Sequence, residues 1–289
     1  MLIDSSTWKE YSKMDAELEA SKLLPNLPPS KSFEDYSSAL ELRQSFNEQI
    51  AQLVAAGIVS LPDWTGYHRS EIYIRTRDGA PLRSLVYRPE GKEAGPLYGP
   101  EHVFPTAAHD AIDAVKWCGE NAASLGANPS KGFTVGGTSA GGNLAAVAAH
   151  QVVDDNLSPK VTGVVLLSAP LCHREAMPEE YKPHISSWED HKDGLVLSRQ
   201  AIEWFYDNYK PDPMSPLMSP LIWKTHKGQP ATYLQVMGLL QDAGTPTKME
   251  VYTGLPHGAP DFFPMHSVSK KALVDLKEGI GWILQQSSG

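Results

Sequence analysis

The spacing of apolar positions divides the chain into stretches of different period. Over residues 1–62, "MDAELEASKLL" and "SALELRQSFNEQIAQLVAAG" place apolar residues three and four apart among strong helix formers, which predicts helices. The prolines of "PNLPPSKSF" force a connector between them. "SEIYIRTRDG" and "PLRSLVYRP" then alternate about Asp78-Gly79, the pattern of a β-hairpin. "FPTAAHDAIDAVKWCGENAASLG" returns to the helical period, with Ile112, Val115 and Ala122 near one face and Gly126 as its stop. "GFTVG" reads as a short buried strand, followed by a helix from about Gly141 to Asp155. "VTGVVLLSAPL" is a continuous apolar run, as expected of a strand covered on both faces.

Residues 172–222 break this rhythm. They are polar, contain prolines and read as helical around "SRQAIEWFYDNY". "ATYLQVMG" and "KMEVYTG" are two further strands, and "SKKALVDLKEGIGWILQQ" is a terminal helix. Alternating strands and helices predict an α/β fold with a mainly parallel sheet. The expected organisation is N-terminal helices over 1–62 and one domain over 63–289, interrupted by the insert at about 172–222.

Composition narrows the function classes. With 41% hydrophobic and 20% charged residues, the 289-residue chain can build a substantial core. A net charge of −9 and the lack of a basic run with interleaved aromatics argue against a nucleic-acid partner. Cys118 and Cys172 lack C-x-x-C spacing and read as free thiols. The first twenty residues are charged throughout, with no apolar core of a secretory signal. No apolar run reaches the ~18 residues of a membrane span. The expectation is a cytoplasmic protein with no membrane span.

The candidate chemistry centres on "FTVGGTSAGGNLAAVAAH", in which Gly137-Thr138-Ser139-Ala140-Gly141 has the form G-x-S-x-G. A serine hydroxyl is a weak nucleophile until a base takes its proton, and it must also be presented to a carbonyl carbon. A sharp strand-to-helix turn presents it. Glycines on either side let strand and helix pack around the strained serine, and the backbone N–H of Ala140 becomes an oxyanion donor at the positive end of a helix. The bare pattern is weak, and its context, an apolar strand before and a small-residue helix after, sharpens it.

A serine of this kind needs a histidine later in the chain. "GLPHG" places His257 in a turn directly after the last strand, within reach of Ser139. His102, His109, His150, His173, His184, His191, His226 and His266 are expected in surface or capping roles. The reading is therefore a Ser139 nucleophile, a His257 base and an Ala140 oxyanion donor, with no metal or organic cofactor.

Taken together, "GGTSAGGNLAA", "PEHVFPTAAHDAIDAVKW", "MSPLIW" and "GTPTKMEVYTGLPHG" resemble the hormone-sensitive-lipase group of α/β-hydrolase esterases, its fungal members above all. The resemblance covers most of residues 8–285. It implies an α/β-hydrolase fold and a serine carboxylesterase acting on a small-molecule ester. It further implies a helical cap, built from the N-terminal helices and the 172–222 insert, and a place in fungal secondary metabolism.

Two parts of the family pattern are missing. No His-Gly-Gly-Gly occurs in the chain, and "LVYRPEGKEAGPL" passes almost at once to "YGPEHVFP". The family's strands 3 and 4 and the helix between them have no counterpart in that interval. Part of the segment between strands 7 and 8 is missing too. Where the family has an Asp-Pro-Leu-x-Asp acid, this chain has "LQVMGLLQDAGTPTK". Asp242 is the one carboxylate in that connection, and it matches the end of the family's helix rather than the acid. Losing one oxyanion donor costs roughly 10²–10³ in rate, and a triad acid replaced by its amide roughly 10⁴. Three readings follow: a serine esterase, a non-catalytic descendant that binds a ligand or partner, and a shortened form of an active esterase.

Overall fold

The computed structural model describes residues 15–20, 35–55, 65–89, 103–182, 187–190, 192–194, 197–235, 245–252 and 255–286. Helices α1 (Ala16–Glu19) and α2 (Ala39–Ala55) precede the strands. Strands β1 (Tyr67–Arg75) and β2 (Pro81–Pro89) form an antiparallel hairpin in register from Tyr67↔Pro89 to Arg75↔Pro81. The hairpin turn is fastened to helix α3 (Thr106–Glu120) by a bidentate Arg77–Asp113 pair and by the Arg77 N–H, which donates to Asp113 Oδ2 at 2.8 Å.

The second sheet is parallel, in the order β3-β4-β5-β6. Its strands are β3 (Thr134–Thr138), β4 (Gly163–Leu167), β5 (Ala231–Gln235) and β6 (Thr247–Glu250). Burial follows position. Every residue of β5 is buried, whereas Thr134, Gly136 and Thr138 of β3 are exposed. Among the described residues no strand pairs with the outer side of β3, which therefore forms an edge of the sheet.

Helix α4 (Ala140–Asp154) is buried on nearly all sides because it is the middle layer of a stack. Ala145, Ala146 and Ala149 pack on Val164, Leu166 and Leu234 of the sheet, while Val147 and Ala148 pack on Ala108 and Ile112 of α3. Its small side chains let both neighbours approach. Helices α5 (Ser187–Asp190) and α6 (Arg199–Tyr209) lie in the insert. The last two are α7 (Ala259–Phe262) and α8 (Ser267–Gln286). α8 covers the opposite face of the sheet, where Ile283 packs with Val165 and Tyr233. The approach is so close that a Cβ on Gly279 would stand 2.5 Å from the Tyr233 ring.

Two details differ from the sequence reading. Helix α3 stops at Glu120, and residues 121–126 continue as turns up to Gly126, whose φ is 72°. Asn121 ends the helix: its Nδ2 donates to Trp117 O at 2.9 Å, as does its backbone N–H. His150 is not at the surface. It is 4% exposed within α4 and hydrogen-bonded to His226. Cys118 and Cys172 are free thiols of intermediate burial. Among the described residues no helix is long and apolar enough to cross a membrane.

Candidate active site

Ser139 sits between the last residue of β3 and the first of α4 with φ 54° and ψ −123°. Such a backbone costs a non-glycine residue roughly 1–3 kcal/mol and persists only where its surroundings enforce it. Three features enforce it here. The Ser139 N–H donates to Leu167 O at 2.8 Å, extending the β3–β4 ladder by one bond. The Asn143 N–H donates to Ser139 O at 3.1 Å and starts the helix. Gly137 lies against the backbone of Gly141 and Gly142, where no side chain would fit.

His257 is supplied by the segment after β6. It is followed by Gly258 in the left-handed region (φ 69°), which turns the chain into α7. The turn brings His257 Nε2 to 2.8 Å from Ser139 Oγ. For Nε2 to accept the hydroxyl proton, the ring must carry its own proton on Nδ1. Ala140 is the first residue of α4, so its N–H is among those that a helix leaves without an intrahelical acceptor. The positive end of the 15-residue α4 dipole points at the same place. A carbonyl carbon attacked by Ser139 Oγ would develop its negative charge beside that helix end.

Asn143 is a supporting residue that the sequence reading did not single out. It is buried, and its Nδ2 donates to Pro170 O at 2.7 Å and to Met218 O at 2.9 Å. It thereby ties the first turn of α4 both to the chain leaving β4 and to the "MSPL" segment. The available signal was one polar side chain inside the small, apolar run "GGNLAAVAA". In the same segment Ser219 Oγ donates to Pro213 O at 2.7 Å and accepts the His173 N–H at 2.9 Å. At the end of β5, buried Gln235 donates through Nε2 to Ala272 O at 2.8 Å, and Tyr252 OH donates to Asp275 Oδ2 at 2.7 Å. Burial first, and then the hydrogen bond to Asp275, push the Tyr252 phenol far above its ordinary range.

The structure thus brings Ser139, Ala140 and His257 together. Asp242 lies outside the described residues, as do residues 90–102, His184 and His191. His173 and His266 each accept a backbone N–H at the start of a helical turn through Nδ1. The Asp15, Glu17 and His266 side chains lie within 4.8 Å of one another, a spacing open to a cation. Their nearest atoms are already hydrogen-bonded, to one another or to the starts of α1 and α8.

A strained serine between a parallel strand and a buried helix, faced by a histidine from beyond the last strand, defines the α/β-hydrolase class. The chain belongs to that family: residues 98–261 match the family described as alpha/beta hydrolase fold. An AB hydrolase superfamily protein of Schizosaccharomyces pombe is 30% identical over 332 aligned positions, covering 96% of each chain. That alignment is longer than the 289 residues here, so the relative carries segments with no counterpart in this chain. A versiconal hemiacetal acetate esterase of Dothistroma septosporum is 35% identical over 66% of this chain and 62% of its own length. Among solved structures, vibralactone cyclase superposes with a TM-score of 0.82 at 27% identity, covering 96% of this chain and 97% of its own.

Proposed function

We propose that this protein is a serine carboxylic-ester hydrolase acting on small or medium acyl esters, with no metal or organic cofactor. The observation that carries the reading is the 2.8 Å contact between Ser139 Oγ and His257 Nε2 at a strained strand-to-helix turn. His257 takes the hydroxyl proton as Oγ bonds to the ester carbonyl carbon. The Ala140 N–H and the α4 dipole stabilise the oxyanion. Collapse breaks the ester C–O bond, and the departing alkoxide takes the proton from His257. Water, deprotonated by the same ring, then attacks the acyl-Ser139 ester and releases the acid.

The resemblance to the hormone-sensitive-lipase group supports a cap formed by the helices before residue 63 and the insert near 172–222. The resemblance to the fungal members of that group supports a role in fungal secondary metabolism, and the versiconal hemiacetal acetate esterase relative supports an ester substrate. Turnover is expected to be weak, because no His-Gly-Gly-Gly is present to complete the oxyanion hole.

The experiment is turnover of p-nitrophenyl acetate and butyrate by the purified chain, with fluorophosphonate labelling, for wild type and Ser139→Ala. Labelling that Ser139→Ala abolishes supports the proposal. Cooperative folding without any labelling of Ser139 overturns it in favour of a ligand-binding descendant. The length of the S. pombe alignment favours a second reading, that this chain is a shortened form of an active esterase. Sequencing transcripts across Leu97-Tyr98 and Leu239-Leu240 tests it, since the second reading requires longer messages there.

A further inference from the structure

The corner that carries His257 is held from the opposite end of the chain. α7 follows His257-Gly258 at once; the Phe263 N–H closes onto Ala259 O at 2.7 Å, and the His266 N–H bonds to Phe263 O at 3.1 Å before α8 begins. Leu18 of α1, fully buried, packs in one cluster with Ala259 and Phe263, and Leu255 packs against it. The residues around Leu18 therefore come from both sides of His257. Polar contacts lock α1 in place. Asp15 caps α1 through the Glu17 N–H at 2.8 Å, and the same oxygen accepts His266 Nε2–H at 3.0 Å. His266 Nδ1 accepts the Val268 N–H at 3.2 Å, which assigns the ring proton to Nε2. The Glu17 carboxylate accepts the Ser267 N–H at 3.2 Å and the Ser267 hydroxyl, at the positive end of the 20-residue α8.

We infer that α1 is a positioning element for the catalytic base: Leu18, clasped by Asp15 and Glu17 to the start of α8, sets the 255–266 corner so that His257 Nε2 faces Ser139 Oγ. The inference rests on the proposed serine mechanism. A helix that merely added buried area could dock anywhere on the sheet layers. This one docks on the short segment whose placement decides the 2.8 Å contact, and its hydrogen bonds fall on His266 and Ser267, where that segment ends and α8 begins. Displacement of a reacting group by about 1 Å can cost on the order of 10² in rate.

The test uses the full chain carrying Leu18→Ala, Leu18→Met or Asp15→Ala, measured well below each unfolding midpoint. Two quantities are followed: amide hydrogen exchange across residues 255–266, and the rate of fluorophosphonate modification of Ser139. Leu18→Ala is expected to speed exchange selectively in the corner and to slow modification by about 10- to 100-fold. For p-nitrophenyl acetate, kcat should fall with it while KM stays within about twofold, since the loss is in geometry at the reacting atoms. Leu18→Met, which keeps the volume, should restore both quantities. Asp15→Ala, an exposed-side change that leaves the core intact, should act in the same direction and less strongly. A folded Leu18→Ala protein with wild-type modification rate, or exchange raised evenly over the whole molecule, overturns the inference. If the wild type itself fails to label, the serine mechanism falls, and corner exchange still decides: no selective rise in Leu18→Ala overturns the brace, and a selective rise upholds it.

Discussion

Gly137 and Gly141 meet so closely that a Cβ on Gly137 would stand 2.3 Å from the carbonyl carbon and oxygen of Gly141. The relation is one-sided, because a Cβ on Gly141 would meet no atom within 4 Å. The two glycines of the G-x-S-x-G pattern therefore do different work: only the first is demanded by contact. Gly137→Ala is expected to cost about 2 kcal/mol or more, since the clash is with backbone that has nowhere to move, and to abolish labelling of Ser139. Gly141→Ala should fold normally, with a gain of up to about 1 kcal/mol from helix propensity. Thermal unfolding of the two variants decides it. Equal destabilisation would show that the second glycine is also sterically required.

Asn143 links three segments through one amide. Asn143→Ala leaves the carbonyls of Pro170 and Met218 without that donor in a buried place, at a cost of roughly 1–3 kcal/mol. Asn143→Asp should be worse at neutral pH, because it sets a charged acceptor against two carbonyl oxygens. Denaturant unfolding of both variants at pH 7 checks the order. An aspartate variant as stable as wild type would remove Asn143 from the account of how the turn is held.

These positions mark how far the sequence could be read. β4 was legible because a strand covered on both faces carries a continuous apolar run, and the Ser139 turn was legible because Gly137, the strand before it and the helix after it are all local. The end of α3 was not, because Asn121 is as acceptable to the eye inside a helix as at its close. Asn143, Gln235 and the Asp15–His266 clasp were invisible for a common reason: their meaning lies in partners far along the chain, such as Met218 O at 75 residues' distance and His266 at 251. His150, expected in a surface or capping role, is buried within α4 instead. His226, 76 residues later, is what lets it sit inside.

That burial makes folding sensitive to acid. Desolvation, helped by the nearby His226 and opposed by Ala146 O and Asp154, lowers the His150 pKa from 6.5 to about 4. The folded chain keeps the ring neutral while the unfolded chain takes up a proton below 6.5, so stability is full above that pH and is lost as pH falls toward 4. The loss from this residue between pH 7 and pH 5 is roughly 2 kcal/mol. Urea midpoints at pH 7, 6 and 5 for wild type and His150→Gln test the assignment. The variant should be less stable at pH 7, where it loses the imidazole contacts, yet flatter with pH by about that amount. Parallel pH profiles would place the acid sensitivity elsewhere.

Asp242 gives the last test, and it concerns the acid that a serine–histidine pair ordinarily relies on. Strand β5 ends at Gln235 and β6 begins at Thr247, and Asp242 is the one carboxylate in the connection between them. A triad acid holds the base in its working tautomer, and exchanging it for the amide costs roughly 10⁴ in kcat. The family pattern puts that acid directly after the strand, in Asp-Pro-Leu-x-Asp, whereas here Val236-Met237-Gly238 follows β5 and Asp242 comes where the family's helix ends. Asp242→Asn is therefore expected to change kcat/KM for p-nitrophenyl acetate by less than about tenfold, against the much larger loss that an acid of the triad would show. The measurement is made beside Ser139→Ala, which sets the floor of the assay. A fall in Asp242→Asn to near that floor, with folding intact, would make Asp242 the acid and would mean that the shortened connection carries a complete serine–histidine–aspartate set in a register different from the family's.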